Sequence, residues 1–174
     1  RNALAKLRHA IHDAEADLPY LLVTKESIQF NLPSDHWLDI ERFSQLLEAC
    51  KTHRHRRIEA CPTCTDRLIE AVNLYRGDFL RAFSRPDSDL FEDWLRLKRE
   101  EYLQLAMDAF QNLVSTYAWR GELDKALTYT QRQLKLDPCL EAAHVQAMRL
   151  YATLDKRSEA CEQYMKCKEI LANE

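Results

Sequence analysis

The amino-acid sequence predicts an all-α protein in which pairs of helices stack into a helical repeat (an α-α superhelix), with a short helix and a β-hairpin at its N-terminus. Three observations lead to this fold class. Only two of the 174 residues are glycine, and the chain is rich in Leu, Ala, Glu, Lys and Arg, which favour helices. Apolar residues recur at helical spacing almost everywhere after Pro33. The last third of the chain repeats its own pattern at a fixed interval.

The N-terminal residues predict a helix followed by a hairpin. In residues 1–12, Leu4, Leu7 and Ile11 fall on one helical face. Within residues 20–32, two short runs of β-branched and aromatic residues flank a polar turn, which is typical of a β-hairpin. Because the chain opens without an initiator Met and partway along an amphipathic helix, we expect it to be a fragment of a longer protein.

Six further helical segments are expected after Pro33. Asp39 opens the first segment, Gly77 follows the second, and Gly121 ends the longest, in agreement with the residues that commonly start and stop helices. The expected segments are residues 39–53, 65–76, 88–121, 122–136, 139–154 and 156–172.

An internal repeat lies in the last third of the chain. Similar residues recur 34 positions apart, in the pairs Leu113/Ala147, Tyr117/Tyr151, Ala126/Ala160 and Leu136/Ile170. The first copy places its bulky, small and terminating residues as tetratricopeptide repeats do, at Phe110, Leu113, Tyr117, Gly121, Ala126 and Pro138. The second copy has His144 and Asp155 in place of Phe110 and Gly121. An unrelated helical bundle is the alternative. Stacked helix pairs present an extended surface to partners rather than a catalytic pocket.

Composition and motifs argue against several classes of protein. The net charge of −3 gives no overall attraction to nucleic acid or to an anionic membrane. No run of about 18 apolar residues suggests a membrane span, and no signal peptide is expected. Six scattered and clustered cysteines do not resemble a secreted disulfide framework, so a cytoplasmic location is expected. The motifs of phosphate-binding loops, serine hydrolases and zinc proteases are missing, and we expect no enzymatic activity.

The stretch "CKTHRHRRIEACPTC", residues 50–64, predicts a metal site. Cys61 and Cys64 form a C-x2-C turn that lets two thiolates reach one tetrahedral ion. Cys50 and His53, one helical turn apart, supply two more ligands, and His55 is able to replace either of them. Four protein ligands would leave no open position for water or substrate, so the expected cofactor is one structural zinc ion.

Three other interpretations of this stretch stay open. Cys50 is also compatible with the role of a small buried hydrophobic residue. Cys61 and Cys64 are also compatible with free thiols at a helix entrance, or with a redox pair. A zinc-dependent enzyme would need an open coordination position and a pocket.

The order of motifs along the chain resembles one regulator family. A basic helix and a hairpin are followed by a helix start at Leu38-Asp39 with Phe43, then by "LYRGDFL" (74–80), "FEDWLRLKRE" (91–100) and the repeated helix pairs. This arrangement is similar to the bacterial transcriptional activator domain of streptomycete antibiotic regulatory proteins and related regulators. The resemblance covers essentially the whole chain.

The resemblance implies a function and a division of the chain. Residues 1–33 would be the C-terminal part of an OmpR-type winged-helix DNA-binding domain, containing its recognition helix and wing. Residues 34–174 would be the activator domain, which contacts a protein partner or neighbouring domains of the same regulator. The residues implied to face DNA in the full-length protein are Arg1, Asn2, Lys6, Arg8 and Lys25. Because the first two helices of a winged helix are missing here, DNA binding by this fragment is expected to be weak. The alternative is a free-standing tetratricopeptide adaptor with no DNA role.

Overall fold

The computed structural model describes residues 2–173 and consists mainly of helices. Over these residues it contains seven α-helices, one 3-10 helix and one two-stranded antiparallel sheet. The chain divides between Glu41 and Arg42 into two compact units. Within the described residues, no helix combines the length and the apolar character needed to cross a membrane.

The N-terminal unit contains the predicted helix and hairpin. Helix α1 covers Asn2–Ala10, and strands β1 (Leu21–Val23) and β2 (Ile28–Phe30) pair with Leu21 opposite Phe30. The hydroxyl oxygen of Thr24 accepts the backbone N–H of Ser27 at 2.9 Å. This bond closes the turn, as Thr side chains commonly do.

The remaining helices follow in the predicted order, and the predicted all-α helical repeat is confirmed. Pro62 stands in the first turn of α3, where its missing N–H has no intrahelical partner to lose. This explains why α3 begins three residues before the segment expected from the apolar pattern. The elements are α2 (Asp39–Lys51), the 3-10 helix (Ile58–Ala60), α3 (Pro62–Leu74), α4 (Asp89–Trp119), α5 (Leu123–Leu136), α6 (Glu141–Thr153) and α7 (Arg157–Ala172).

The two repeat copies end their first helices in the same way. The N–H of Glu122 bonds to the carbonyl of Tyr117 at 2.8 Å, and the N–H of Lys156 bonds to the carbonyl of Tyr151 at 2.9 Å. This bond requires a left-handed residue just before it. Gly121 takes that conformation with φ +76° in the first copy, and Asp155 takes it with φ +57° in the second. Aspartate tolerates the left-handed region better than most residues, so the repeat survives the replacement.

The core of the second unit includes residues of α2, α3 and α4. Its largest fully buried side chains include Phe43, Leu68, Leu95, Phe110 and Leu113. Ala126 is completely buried, so α5 approaches α4 at a position where only a small side chain fits. Successive helices from α3 to α7 pack on one another in chain order, which is the arrangement expected of stacked repeats.

Candidate metal centre

Four potential metal ligands converge where the connection from α2 enters α3. His53 and His55 lie in the connection, Cys61 is the N-cap residue of α3, and Cys64 lies in the first turn of that helix. One ligand atom from each of the four residues lies within 4.8 Å of the ligand atoms of the other three.

Three nitrogen–sulfur distances in this cluster are close to those expected around a tetrahedrally coordinated zinc ion. The Nδ1 atom of His53 lies 3.1 Å from the Sγ of Cys64 and 3.4 Å from the Sγ of Cys61. The Nδ1 atom of His55 lies 3.9 Å from the Sγ of Cys64. Zinc–nitrogen and zinc–sulfur bond lengths place neighbouring donors of a tetrahedral site roughly 3.3 to 3.8 Å apart. The observed separations therefore bracket the edges of such a tetrahedron.

The backbone around Cys61 is held by a small set of hydrogen bonds. The N–H of Cys61 bonds to the carbonyl of Ile58 at 3.0 Å, which closes the 3-10 helix. The carbonyl of Cys61 accepts both the N–H and the hydroxyl of Thr65, at 3.0 and 2.9 Å. Arg120, the residue that follows α4, donates to the Thr65 hydroxyl at 3.0 Å. These hydrogen bonds hold the backbone of the C-x2-C turn, and the bond from Arg120 connects the turn to the end of α4.

Cys50, the other candidate ligand, does not join the four-residue cluster. Its thiol faces the backbone carbonyl oxygen of Cys64 at 3.7 Å, and its side chain is buried. The sequence spacing assumed one continuous helix through Cys50 and His53, but α2 ends at Lys51. Since the helical one-turn relationship is lost there, His53 reaches the cluster from the connection, and His55 stands beside it where Cys50 was expected.

Burial makes the Cys64 thiol of this cluster a weak acid when no cation is near. Burial raises the pKa of Cys64 to about 12, and the neighbouring thiols of Cys61 and Cys50 add to the effect. Burial likewise raises the pKa of Cys50. Disulfide exchange needs an accessible thiolate, so this environment does not favour a redox pair. A divalent cation would instead favour the thiolate form, because it displaces the thiol protons when it binds.

The fold and the matched sequence together decide the family. A family model described as the bacterial transcriptional activator domain matches residues 38–174. The chain belongs to this family. The match takes in α2 to α7 completely and confirms the resemblance inferred from the order of motifs. No curated protein matched the sequence.

As a bacterial transcriptional activator domain, the chain belongs to a regulatory class of protein. The metal-ligand cluster lies at the junction of the first two helices that the family match contains. The N-terminal helix and hairpin precede the matched region. None of the six cysteines forms a disulfide within residues 2–173.

The residues implied to face DNA differ in their exposure and in their bonding partners. Arg1 lies outside the described residues. Asn2 and Lys6 are exposed on α1, and Lys25 is exposed in the hairpin turn. Arg8 instead donates its Nε–H to the carboxylate of Asp13 at 2.6 Å.

Asp13 is a structural residue that the sequence pattern did not reveal. It is 1% exposed, which is unusual for an aspartate. Its Oδ1 atom accepts the backbone N–H of Leu21 at 3.0 Å, while its Oδ2 atom accepts the bond from Arg8. The only hint in the sequence is that Asp13 is the first acid after a basic helix.

Proposed function

We propose that this chain is the regulatory segment of a bacterial transcription factor, in which residues 1–33 complete a winged helix with polypeptide that precedes them. The helical repeat then contacts a protein partner or a neighbouring domain of the same regulator. Membership of the bacterial transcriptional activator domain family supports the regulatory part of this proposal.

The incompletely buried apolar stripe at α1 is the observation that carries the DNA-binding part of the proposal. Leu4 and Leu7 of α1 share one face with Ile11 just beyond it, yet none of the three is buried, and Leu7 is 48% exposed. An amphipathic helix normally buries such a stripe against other elements. Further helices of a winged helix would cover it. The buried carboxylate of Asp13 already connects α1 to β1, as a recognition helix must be connected to its wing.

The polar face of α1 has the chemistry needed to contact DNA. With about 100° between successive residues of a helix, Asn2, Lys6 and His9 fall opposite the apolar stripe, and all three are exposed. A recognition helix presents such side chains to phosphates and base edges in the major groove. Arg8 falls on the flank of the stripe, which is consistent with its bond to Asp13. We therefore assign Lys6 the larger share of phosphate contact.

An exposed apolar face on α4 supports the protein-contact part of the proposal. Leu90, Trp94 and Leu97 follow one another at four- and three-residue intervals, with exposed fractions of 86%, 44% and 57%. Leu95 on the opposite side of the same helix is completely buried. A row of large exposed apolar side chains is uncommon on an isolated soluble domain and is typical of a surface that binds another protein.

A DNA-binding measurement on the longer regulator tests this function. We expect Lys6→Ala to weaken binding to duplex DNA and to reduce the magnitude of the salt dependence (the slope of log K against log salt concentration) by about one. Lys168→Ala on α7 serves as the matched control, since Lys168 is exposed and remote in sequence from α1. The chain alone should bind duplex DNA weakly and without sequence preference. If the longer polypeptide does not bind duplex DNA, the adaptor function replaces this one.

A further inference from the structure

We propose that His53, His55, Cys61 and Cys64 bind one structural zinc ion, through two imidazole nitrogens and two thiolate sulfurs. Neither the family nor the regulatory function described above requires a metal here. The proposal rests on the convergence of four donor atoms within 4.8 Å of one another.

The donor set selects the class of metal. Two sulfurs and two imidazole nitrogens suit zinc, which binds such ligands tetrahedrally. Calcium and magnesium prefer oxygen ligands, and the converging group of residues contains no carboxylate. The separations of 3.1, 3.4 and 3.9 Å between nitrogen and sulfur atoms are close to the edge lengths of a tetrahedral zinc site.

The proposed ligands balance the charge of a zinc dication. Zinc with two thiolates and two neutral imidazoles carries no net charge, so the site can lie partly buried. Cys61 and Cys64 lie at the N-terminus of α3, where the helix dipole stabilises negative charge.

Four protein ligands give the ion a structural role. A closed tetrahedral site has no position for water or substrate, in contrast to a catalytic zinc site. Residues 52–57 contain no helix or strand, and four basic residues crowd the segment from Lys51 to Arg57. A zinc ion would bind this segment to the first turn of α3, and its binding free energy would stabilise the fold of the connection.

The position of Cys50 separates this proposal from the ligand set expected from spacing alone. Its thiol points to the carbonyl oxygen of Cys64, away from the four converging donors, so we assign Cys50 no bond to the ion. His55 supplies the fourth ligand. The two ligand sets predict opposite results for two single substitutions, Cys50→Ala and His55→Ala.

Metal analysis of the untagged chain tests the proposal. Protein purified without chelator should contain about one zinc ion per chain. His55→Ala and Cys61→Ser should each reduce the zinc content strongly. Cys50→Ala should keep it, and so should Cys161→Ser, a control at an exposed cysteine on α7. Cobalt added to chelator-treated parent protein should give the intense visible bands of a tetrahedral site together with a thiolate charge-transfer band.

Several results would overturn the proposal. One is a zinc content near zero in the parent together with a cobalt spectrum that lacks the tetrahedral and thiolate bands. Another is a disulfide between Cys61 and Cys64 in protein purified under reducing conditions. If Cys50→Ala loses the metal while His55→Ala keeps it, the assigned ligand set is wrong. The cobalt titration uses the parent chain, so it decides the matter even if a ligand variant fails to fold.

Discussion

Arg8 and Asp13 form a charged hydrogen bond of 2.6 Å in which the carboxylate is fully buried. The second carboxylate oxygen holds the backbone N–H of Leu21, so one side chain joins α1 to the first strand of the hairpin. Burial pushes the pKa of Asp13 upward, but the bonds from Arg8 and from the backbone of Leu21 and Tyr20 outweigh it, and the pKa falls below its ordinary value of 3.8. Asp13 is therefore ionised at neutral pH and stabilises the N-terminal unit in that form.

Replacing Asp13 by asparagine should loosen the hairpin. An asparagine amide has an NH2 group in place of one carboxylate oxygen, so in either orientation it turns an N–H donor toward the Nε–H of Arg8 or the N–H of Leu21 and loses one of the two bonds. We expect the amide of Leu21 to exchange its hydrogen faster at neutral pH in Asp13→Asn than in the parent. Glu15→Gln is the control, because Glu15 is exposed and pairs only with His12 at the surface. If the Leu21 amide exchanges at the same rate in Asp13→Asn and in the parent, Asp13 does not have this structural role.

The Asp13 carboxylate should also make the stability of the N-terminal unit decrease at low pH. The folded-state pKa of Asp13 is lowered. Its contribution to stability is therefore fully present at a pH above the unfolded-state pKa, and it is lost as the pH falls through the folded-state pKa. In the parent, protection of the Leu21 amide should therefore persist down to mildly acidic pH and decline only below about 3.8. In Asp13→Asn this decline should be missing.

His144 and Gln163 form a buried pair that replaces an aromatic residue of the first repeat. The Nε2 of His144 lies 2.8 Å from the carbonyl oxygen of Pro138, and its Nδ1 lies 2.6 Å from the Nε2 of Gln163. With the ring proton on Nε2, His144 donates to the carbonyl of Pro138 while its Nδ1 accepts from the amide of Gln163. We expect Gln163→Leu to lower the free energy of unfolding by about 1 to 3 kcal/mol, since it leaves a buried nitrogen without a donor.

A double substitution distinguishes this hydrogen bond from simple packing. His144→Phe with Gln163→Leu would remove both polar partners and restore the aromatic residue found at Phe110 in the first copy. The double variant should be more stable than Gln163→Leu alone, because no buried donor or acceptor of the pair is then left unmatched. Chemical denaturation measures both values. If the double variant is no more stable than Gln163→Leu alone, the polar pair is not what decides stability at this position.

The helices and their repeat could be predicted from the sequence because each carries its own periodic signal. The spacing of 34 residues placed Tyr117 and Tyr151 at equivalent helix ends, and the backbone bonds that they accept are the same in both copies. His144 and Asp155 departed from the repeat pattern in the sequence. The structure explains both, since His144 is satisfied by hydrogen bonds and Asp155 adopts the left-handed backbone of Gly121.

The metal-ligand cluster could be predicted only in part. Cys61 and Cys64 were found because a C-x2-C turn is short enough for sequence spacing to fix its geometry. The partners from the connection were not fixed in this way, because their positions depend on where α2 ends and on how residues 52–57 fold back. Asp13 could not be found at all, since its role depends on a backbone N–H eight residues away in a strand.

The two small residues at equivalent repeat positions should differ in their tolerance of a larger side chain. Ala126 is completely buried, whereas Ala160 is partly exposed at the last helix pair. We expect Ala126→Leu to lower the free energy of unfolding by roughly 1 to 3 kcal/mol through overpacking. Ala160→Leu should cost less than half as much, because its side chain can turn toward solvent. Equal effects at both positions, measured by thermal or chemical unfolding, would contradict this difference in packing.

Limited digestion with trypsin should report directly on the connection that the proposed zinc ion would hold. Arg54, Arg56 and Arg57 are exposed, yet a protease must unfold several residues on either side of the bond that it cleaves. With His53, His55, Cys61 and Cys64 bound to one ion, that unfolding would require the metal to dissociate. We expect chelator-treated protein to be cleaved in residues 54–57 at least about tenfold faster than the zinc-loaded protein.

An internal control makes this comparison independent of protease activity. Arg81 is exposed in the connection between α3 and α4, outside the proposed ligand cluster, so its cleavage rate should be the same with and without metal. Adding zinc back should restore protection at residues 54–57 in the parent and in Cys50→Ala, but not in His55→Ala. If both segments are protected to the same extent, the metal stabilises the whole chain and not this connection. If neither segment responds to zinc, the metal does not hold the connection at all.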